Sequence, residues 1–139
     1  AKRADDRITA LAPTLAPTDA ELGKPSAQDL FTRGMVYFER NQNAEAEVTL
    51  AAALNATGTD PVLECRARFH RAQSVFKQRQ RPRAIPFFAE AEAACRAVGD
   101  KDLLVKSLYQ GGRCLATAGD VQAALDKYAL IEAEHPDHS

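Results

Sequence analysis

The stretch Leu30-Phe31-Thr32-Arg33-Gly34-Met35-Val36-Tyr37, with Ala46-Glu47-Val48-Thr49-Leu50 behind it, is echoed twice further along the chain. Setting Ala46 beside Ala84 and Ala124 aligns Leu50, Phe88 and Tyr128 four positions later, and Ala53, Ala91 and Ile131 seven positions later. Upstream, the same register aligns Gly34 with Ala72 and Gly112, Tyr37 with Val75 and Leu115, and Leu30 with Arg68 and Leu108. A small residue on each of two helices lets their backbones approach closely, and a large residue one turn away fills the space beside the crossing. Self-similarity of this length marks a repeat architecture. Such a helix pair cannot cover both of its own faces, so successive pairs must stack. The reading is an all-α fold of three antiparallel helix pairs, an α-solenoid.

Local punctuation supports six helices. Ser26 with Asp29 three residues on reads as a capping box, opening a first helix over about 27–40. Asn41-Gln42-Asn43 breaks it, and Asn43 is a candidate cap for a second helix to about 55. Gly58 and Asp60-Pro61 form the next break, with Asp60 suited to the cap and Pro61 to the first helical position; the third helix then runs to about 80. Pro82 and Pro86 cannot both lie deep in a helix, so the fourth should start near 83–86 and end at Val98 before Gly99. Asp100 and Asp120 cap the fifth and sixth, which stop at Gly119 and before Pro136. Short connections imply antiparallel neighbours. The units fall at about 27–58, 61–98 and 101–136, within a repeat domain over 26–139.

Residues 1–25 differ. Ala12-Pro13-Thr14 and Ala16-Pro17-Thr18, then Gly23 and Pro25, make this a Pro/Ala/Thr-rich lead-in with at most a turn or two of helix around 6–11. The chain opens Ala1-Lys2-Arg3 with no apolar run behind it, and the lack of an initiator Met fits a fragment or a processed chain, which leaves the compartment open. A net charge of −1 gives no global reason to expect nucleic acid or a membrane surface as partner. Abundant Ala and the absence of Trp favour helix over strand.

The repeat resembles the tetratricopeptide repeat family, whose signature is Trp-x-x-Leu-Gly-x-x-Tyr, then Ala-x-x-x-Phe, then Pro. The first unit offers Leu30, Gly34, Tyr37, Ala46 and Leu50; the third offers Leu108, Gly112, Leu115, Ala124, Tyr128 and Pro136. The units are 38 and 40 residues apart instead of the family's 34, and Arg68 stands where an apolar residue is usual. The resemblance implies a right-handed superhelix and a non-catalytic protein-interaction scaffold that needs no cofactor. The ending Tyr128-x-x-Ile131-x-x-Glu134-His135-Pro136 and the stretch Leu108-Tyr109-x-Gly111-Gly112-Arg113 are also similar to helical repeats of bacterial envelope proteins, above all the superhelical domain of soluble lytic transglycosylases. That likeness implies a periplasmic or cell-envelope home, contact with peptidoglycan or envelope proteins, and an alternative role as the structural arm of a larger peptidoglycan-cutting enzyme.

In the repeat family the first helix of each pair lines a concave face. Carried over, those positions are Gln28, Phe31, Met35 and Phe38, then Arg66, Phe69, Gln73, Phe76 and Lys77, then Lys106, Tyr109 and Arg113. Phe31, Phe69 and Tyr109 are equivalent and would form an aromatic ladder; aromatics flanked by cations suit an extended peptide or a helix. Packing of these rings between neighbouring helices is the alternative. Only Lys106 and Arg66 fall near the family's carboxylate-clamp positions, and the Asn positions are missing, so no clamp is expected.

The middle unit is basic: Arg66, Arg68, Arg71, Lys77, Arg79, Arg81 and Arg83 occur with no acid between Glu64 and Glu90. Arg68, Arg71, Lys77, Arg79, Arg81 and Arg83 could meet an anionic partner, or form a solvated face balanced by acids such as Glu90, Glu92 and Asp102. Cys65 and Cys95 fall at adjacent ends of an antiparallel pair, where a disulfide is geometrically conceivable; two separate small buried residues are the alternative. Cys114 should be buried. His135-x-x-His138 has no third ligand near it, so no metal site is expected. On the last helix Leu125, Ala129 and Leu130 lack a later helix to cover them, so that face should be capped by further sequence, by the N-terminal segment or by self-association.

Overall fold

The computed structural model describes residues 23–137. Among them are six helices and no strand: α1 (Ala27–Glu39), α2 (Asn43–Leu54), α3 (Pro61–Lys77), α4 (Arg81–Val98), α5 (Lys101–Thr117) and α6 (Val121–Glu134). The lead-in before Gly23, the turn of helix expected around 6–11, and His138 lie outside the described residues. Each helix packs on the next in sequence, and α1, α3 and α5 also touch in series. The second helices are bridged instead by long charged side chains: Glu47 of α2 to Arg83 of α4, and Glu92 and Glu134 on either side of the α4–α6 junction to Lys127 and Arg96.

Helix starts follow their caps. The Ser26 hydroxyl accepts from the Asp29 amide at 3.1 Å while the Asp29 carboxylate accepts from the Ser26 amide. Asp60, Asp100 and Asp120 accept from the amides of Leu63, Leu103 and Ala123. Each cap satisfies a donor that the helix leaves open, worth about 1 kcal/mol. Gly99 takes the left-handed conformation that ends α4.

Three boundaries differ from the sequence expectation. Asn43 is the first residue of α2 and does not cap it; Gln42 holds the cap position without a side-chain bond. The reason is Asn41, whose left-handed φ of 60° closes α1 and turns the chain directly into α2. Arg79, at φ 63°, likewise ends α3 at Lys77 and not near 80. Helix α4 then starts at Arg81, with Pro82 in the first turn and Pro86 inside the helix. Pro82 needs no amide partner there, and exposed Pro86 forfeits only one helical bond. Asn41, Arg79 and Gly119 are equivalent in the repeat register, and all three have positive φ.

The small-residue crossings are closed. Ala46, Ala72 and Ala84 have no exposed surface, and Ala124 has 2%. A Cβ on Gly34 would meet Leu50 Cδ2 at 2.6 Å, and one on Gly112 would meet the Tyr128 ring at 2.5 Å. Leu50 and Phe88 fill the spaces assigned to them and are fully buried. Arg68, the departure from the apolar pattern, is half-buried and held by Glu64 and Glu90 at 2.8 and 2.9 Å. Cys65 and Cys95 form a disulfide between α3 and α4, and Cys114 is buried and free.

Candidate functional site

The touching series α1, α3 and α5 exposes one face, and that face holds a cavity of about 720 Å³. Its walls are Phe38 from α1, Phe69, His70, Gln73 and Lys77 from α3, residues of α5 from Asp102 to Gln110, and Ile131 reaching in from α6. The α3 members follow from helical spacing: positions four and three apart share a face, so Arg66, His70, Gln73 and Lys77 rise along one side. Sequence reading selected Phe69 and missed its neighbour His70, although the four-residue step from Arg66 points to it. It also missed Val105, Gln110 and Ile131 as lining residues.

The expected groove residues are not all brought together. Phe38, Phe69, Gln73, Lys106 and Tyr109 share the cavity, whereas Phe31, Met35, Arg66, Phe76 and Arg113 do not line it. Phe31 is 4% exposed, clusters with Leu63 and Ala67 of α3, and lies under the Arg66 guanidinium at 4.8 Å. Met35 packs into the α1–α2 core. Phe69 is 6% exposed and sits in the cluster that joins α3, α4 and Cys114 of α5. Tyr109, by contrast, is 50% exposed. An open aromatic ladder is therefore not present: at this repeat position the next unit covers the ring, and only in the third unit is there no further described helix to do so.

The cavity's wall is mixed: Phe38, Phe69, Val105 and Ile131 are apolar, and its other lining residues carry polar groups. Gln110 donates to Gln73 across the α3–α5 junction at 3.3 Å, and Lys106 pairs with Asp102 at 3.0 Å. His70 packs edge-on against Phe38 and Phe69, and its Nδ1 is buried without a hydrogen-bond partner among the described residues. Burial, with Arg66, Lys106 and Lys77 nearby, pushes its pKa down to about 4, so the ring is neutral at pH 7.

The basic run divides by face. Arg68 and Arg71 bind Glu90, and Arg83 forms a two-pronged pair with Glu47 at 2.6 and 2.7 Å. The Arg83 bond holds the Glu47 carboxyl below its usual range. Glu47 was not among the acids anticipated as balancing partners. Lys77, Arg81 and Arg113 have no carboxylate partner among the described residues; they rest on aromatic rings. Lys77 Nζ lies 4.1 Å from the Phe38 ring centre, and the Arg81 and Arg113 guanidiniums lie 4.9 and 5.3 Å from that of Phe76. Lys77 also enters a second hollow of about 560 Å³, lined by Phe76, Arg79, Arg81, Pro82 and Thr117.

On α6, Val121 and Leu125 are 58% and 53% exposed and Ala129 is exposed. Leu130 departs from expectation, packing with Ile131 on the Leu104–Leu108 cluster. Among the described residues no three His, Cys, Asp or Glu side chains gather as metal ligands, and no helix is long and apolar enough to cross a membrane. No protein-family model and no curated protein matches the chain.

Proposed function

We propose that the chain is a non-catalytic scaffold of the tetratricopeptide type, wound as a right-handed superhelix, that holds an extended peptide or a helix of a partner protein against α1, α3 and α5. The observation that carries this reading is the cavity between Phe38, Phe69 and Tyr109, lined by apolar Phe38, Phe69, Val105 and Ile131 together with Lys77 and Lys106. Apolar anchors with a few placed polar groups are how such grooves gain affinity and orientation. Selection of a displayed random-peptide library tests it. Peptides that bind the chain and lose affinity on Tyr109→Ala and Val105→Asp support the reading; binders indifferent to both changes, or no binders, refute it.

An oxidising setting such as the bacterial periplasm or envelope is supported by the Cys65–Cys95 disulfide, since such bonds persist mainly outside the reducing cytosol. A second reading, a structural arm within a larger peptidoglycan-cutting enzyme, is favoured by the exposed face of Val121, Leu125 and Ala129, where another helix pair would stack. Hydrogen exchange on the full-length native protein decides it: α6 amides no better protected there than in this chain alone would remove that reading.

A further inference from the structure

Resting on the groove reading above, we infer that the bound segment is acidic: an apolar side chain enters the cavity between Phe38, Phe69 and Tyr109, and side-chain carboxylates beside it reach the hollow of Lys77, Arg79 and Arg81.

Three observations carry this. First, the two hollows adjoin, because Lys77 lines both. Second, their charge is one-sided. Among the described residues the smaller hollow is lined by three cations and no acid, and the one acid on the larger cavity's wall, Asp102, is already paired with Lys106. Third, three other cations of the same run are neutralised: Arg68, Arg71 and Arg83 each have a glutamate. Lys77, Arg79, Arg81 and Arg113 have none among the described residues, although the chain as a whole has 19 acids to 18 Lys and Arg. Aromatic faces orient three of these cations, so the charges are held in place before a ligand arrives. Preorganised cations beside an apolar pocket favour carboxylates next to an apolar anchor, and they set specificity and association rate. The carboxylates come from side chains, so a free C-terminus is not required. Phe69 to Lys77 spans roughly 12 Å along α3, room for about three to four extended residues.

The test uses amide-capped fluorescent peptides, read by anisotropy against the full chain. One carries a single leucine followed by Glu and Asp residues; a second replaces every acid by its amide; a third keeps the acids and replaces the leucine by glycine. The acidic leucine peptide should bind at least about tenfold tighter than either control and weaken severalfold between 50 and 300 mM NaCl. The double substitution Lys77→Glu with Arg79→Gly should cost it about tenfold or more. Both residues are exposed, and glycine suits the backbone at 79, so folding is retained. Equal binding of the amide peptide, or binding unmoved by the double substitution, overturns the inference. A single-stranded oligonucleotide that binds more tightly and displaces the peptide through the same residues overturns it in favour of nucleic acid. Library peptides that lack acids yet depend on Tyr109 would leave the groove reading standing and sink the acidic one. Absence of any groove-dependent peptide would sink both.

Discussion

Gly34→Ala places one methyl group where α1 crosses α2, and its cost measures how tightly the repeat is closed. The new Cβ would stand 2.6 Å from Leu50 Cδ2, 2.7 Å from Cγ and 3.4 Å from the Leu50 amide nitrogen. Leu50 has no exposed surface, so its branch point cannot swing aside without disturbing Ala46, Ala53 and Leu63 around it. Overpacking of this kind costs about 1–3 kcal/mol, against a gain of about 1 kcal/mol in helix propensity. Gly111 supplies the control. It is also mid-helix, but its added Cβ would meet only Phe88 Cβ, at 3.4 Å. Gly111→Ala should therefore be neutral or stabilising by up to about 1 kcal/mol. Subtracting the two variants cancels propensity and leaves packing, an expected gap of about 1–3 kcal/mol. Urea unfolding followed by circular dichroism reads that gap directly, and in melting temperature it is roughly 4 °C per kcal/mol at this size. Gly34→Ala as stable as Gly111→Ala would refute the claim that the crossing is closed by contact.

His70 should impose a pH dependence. Its folded pKa lies near 4, below the ordinary 6.5, so the stability it contributes is complete above pH 6.5 and drains away as pH falls toward 4. The shift corresponds to about 3 kcal/mol, and His70→Phe should flatten the wild-type decline between pH 7 and 4.5; parallel curves would show that His70 is not its source. Reduction of the disulfide, which closes a loop with sequence separation 30, should lower stability by about 3–4 kcal/mol. Alkylation of the denatured, unreduced chain should label Cys114 alone, and three labels would mean that the bond is not formed. Arg79→Gly should stabilise the isolated protein by about 1 kcal/mol by relieving a left-handed non-glycine residue; a lower unfolding midpoint would count against a strained turn. Glu90→Gln should cost about 1–2 kcal/mol, because it strips the partner from Arg71, whose side chain is only 14% exposed. Stability unchanged by that substitution would mean that solvent already satisfies the guanidinium.

Helix order, caps at Ser26, Asp60, Asp100 and Asp120, and the tight crossings at Gly34 and Gly112 were legible because each depends on local chemistry or on a residue too small to be there by accident. What was not legible depends on neighbours two helices away. Phe31, Phe69 and Tyr109 are equivalent in sequence, yet the first two are covered by the following unit and the third is not. Periodicity along one helix cannot tell a ring facing a groove from a ring facing the next unit. The left-handed conformations of Asn41 and Arg79 went unread for another reason: these turns align with Gly119, but neither residue is a glycine, so composition concealed a shared backbone requirement. His70 was hidden by its neighbour Phe69, which looked the better anchor.

The division of the basic run bears on what its charges are for. Arg68 and Arg71 point where α4 offers Glu90, which ties α3 to α4, and Arg83 where α2 offers Glu47, which ties the outer helices α2 and α4 together. Lys77 and Arg81 leave the same stretch of chain on the other side and meet rings, not acids. A cation over an exposed ring contributes only about 0.5–1 kcal/mol, and like charges held together repel one another. Folding alone therefore gains little from this second group. Arg79 sharpens the point, since it occupies a turn position where glycine would cost the backbone less. A stabilising role predicts that removing Lys77 and Arg79 weakens the fold. A binding role predicts that the fold is unchanged or firmer while affinity for an acidic segment falls, and the two measurements move in opposite directions.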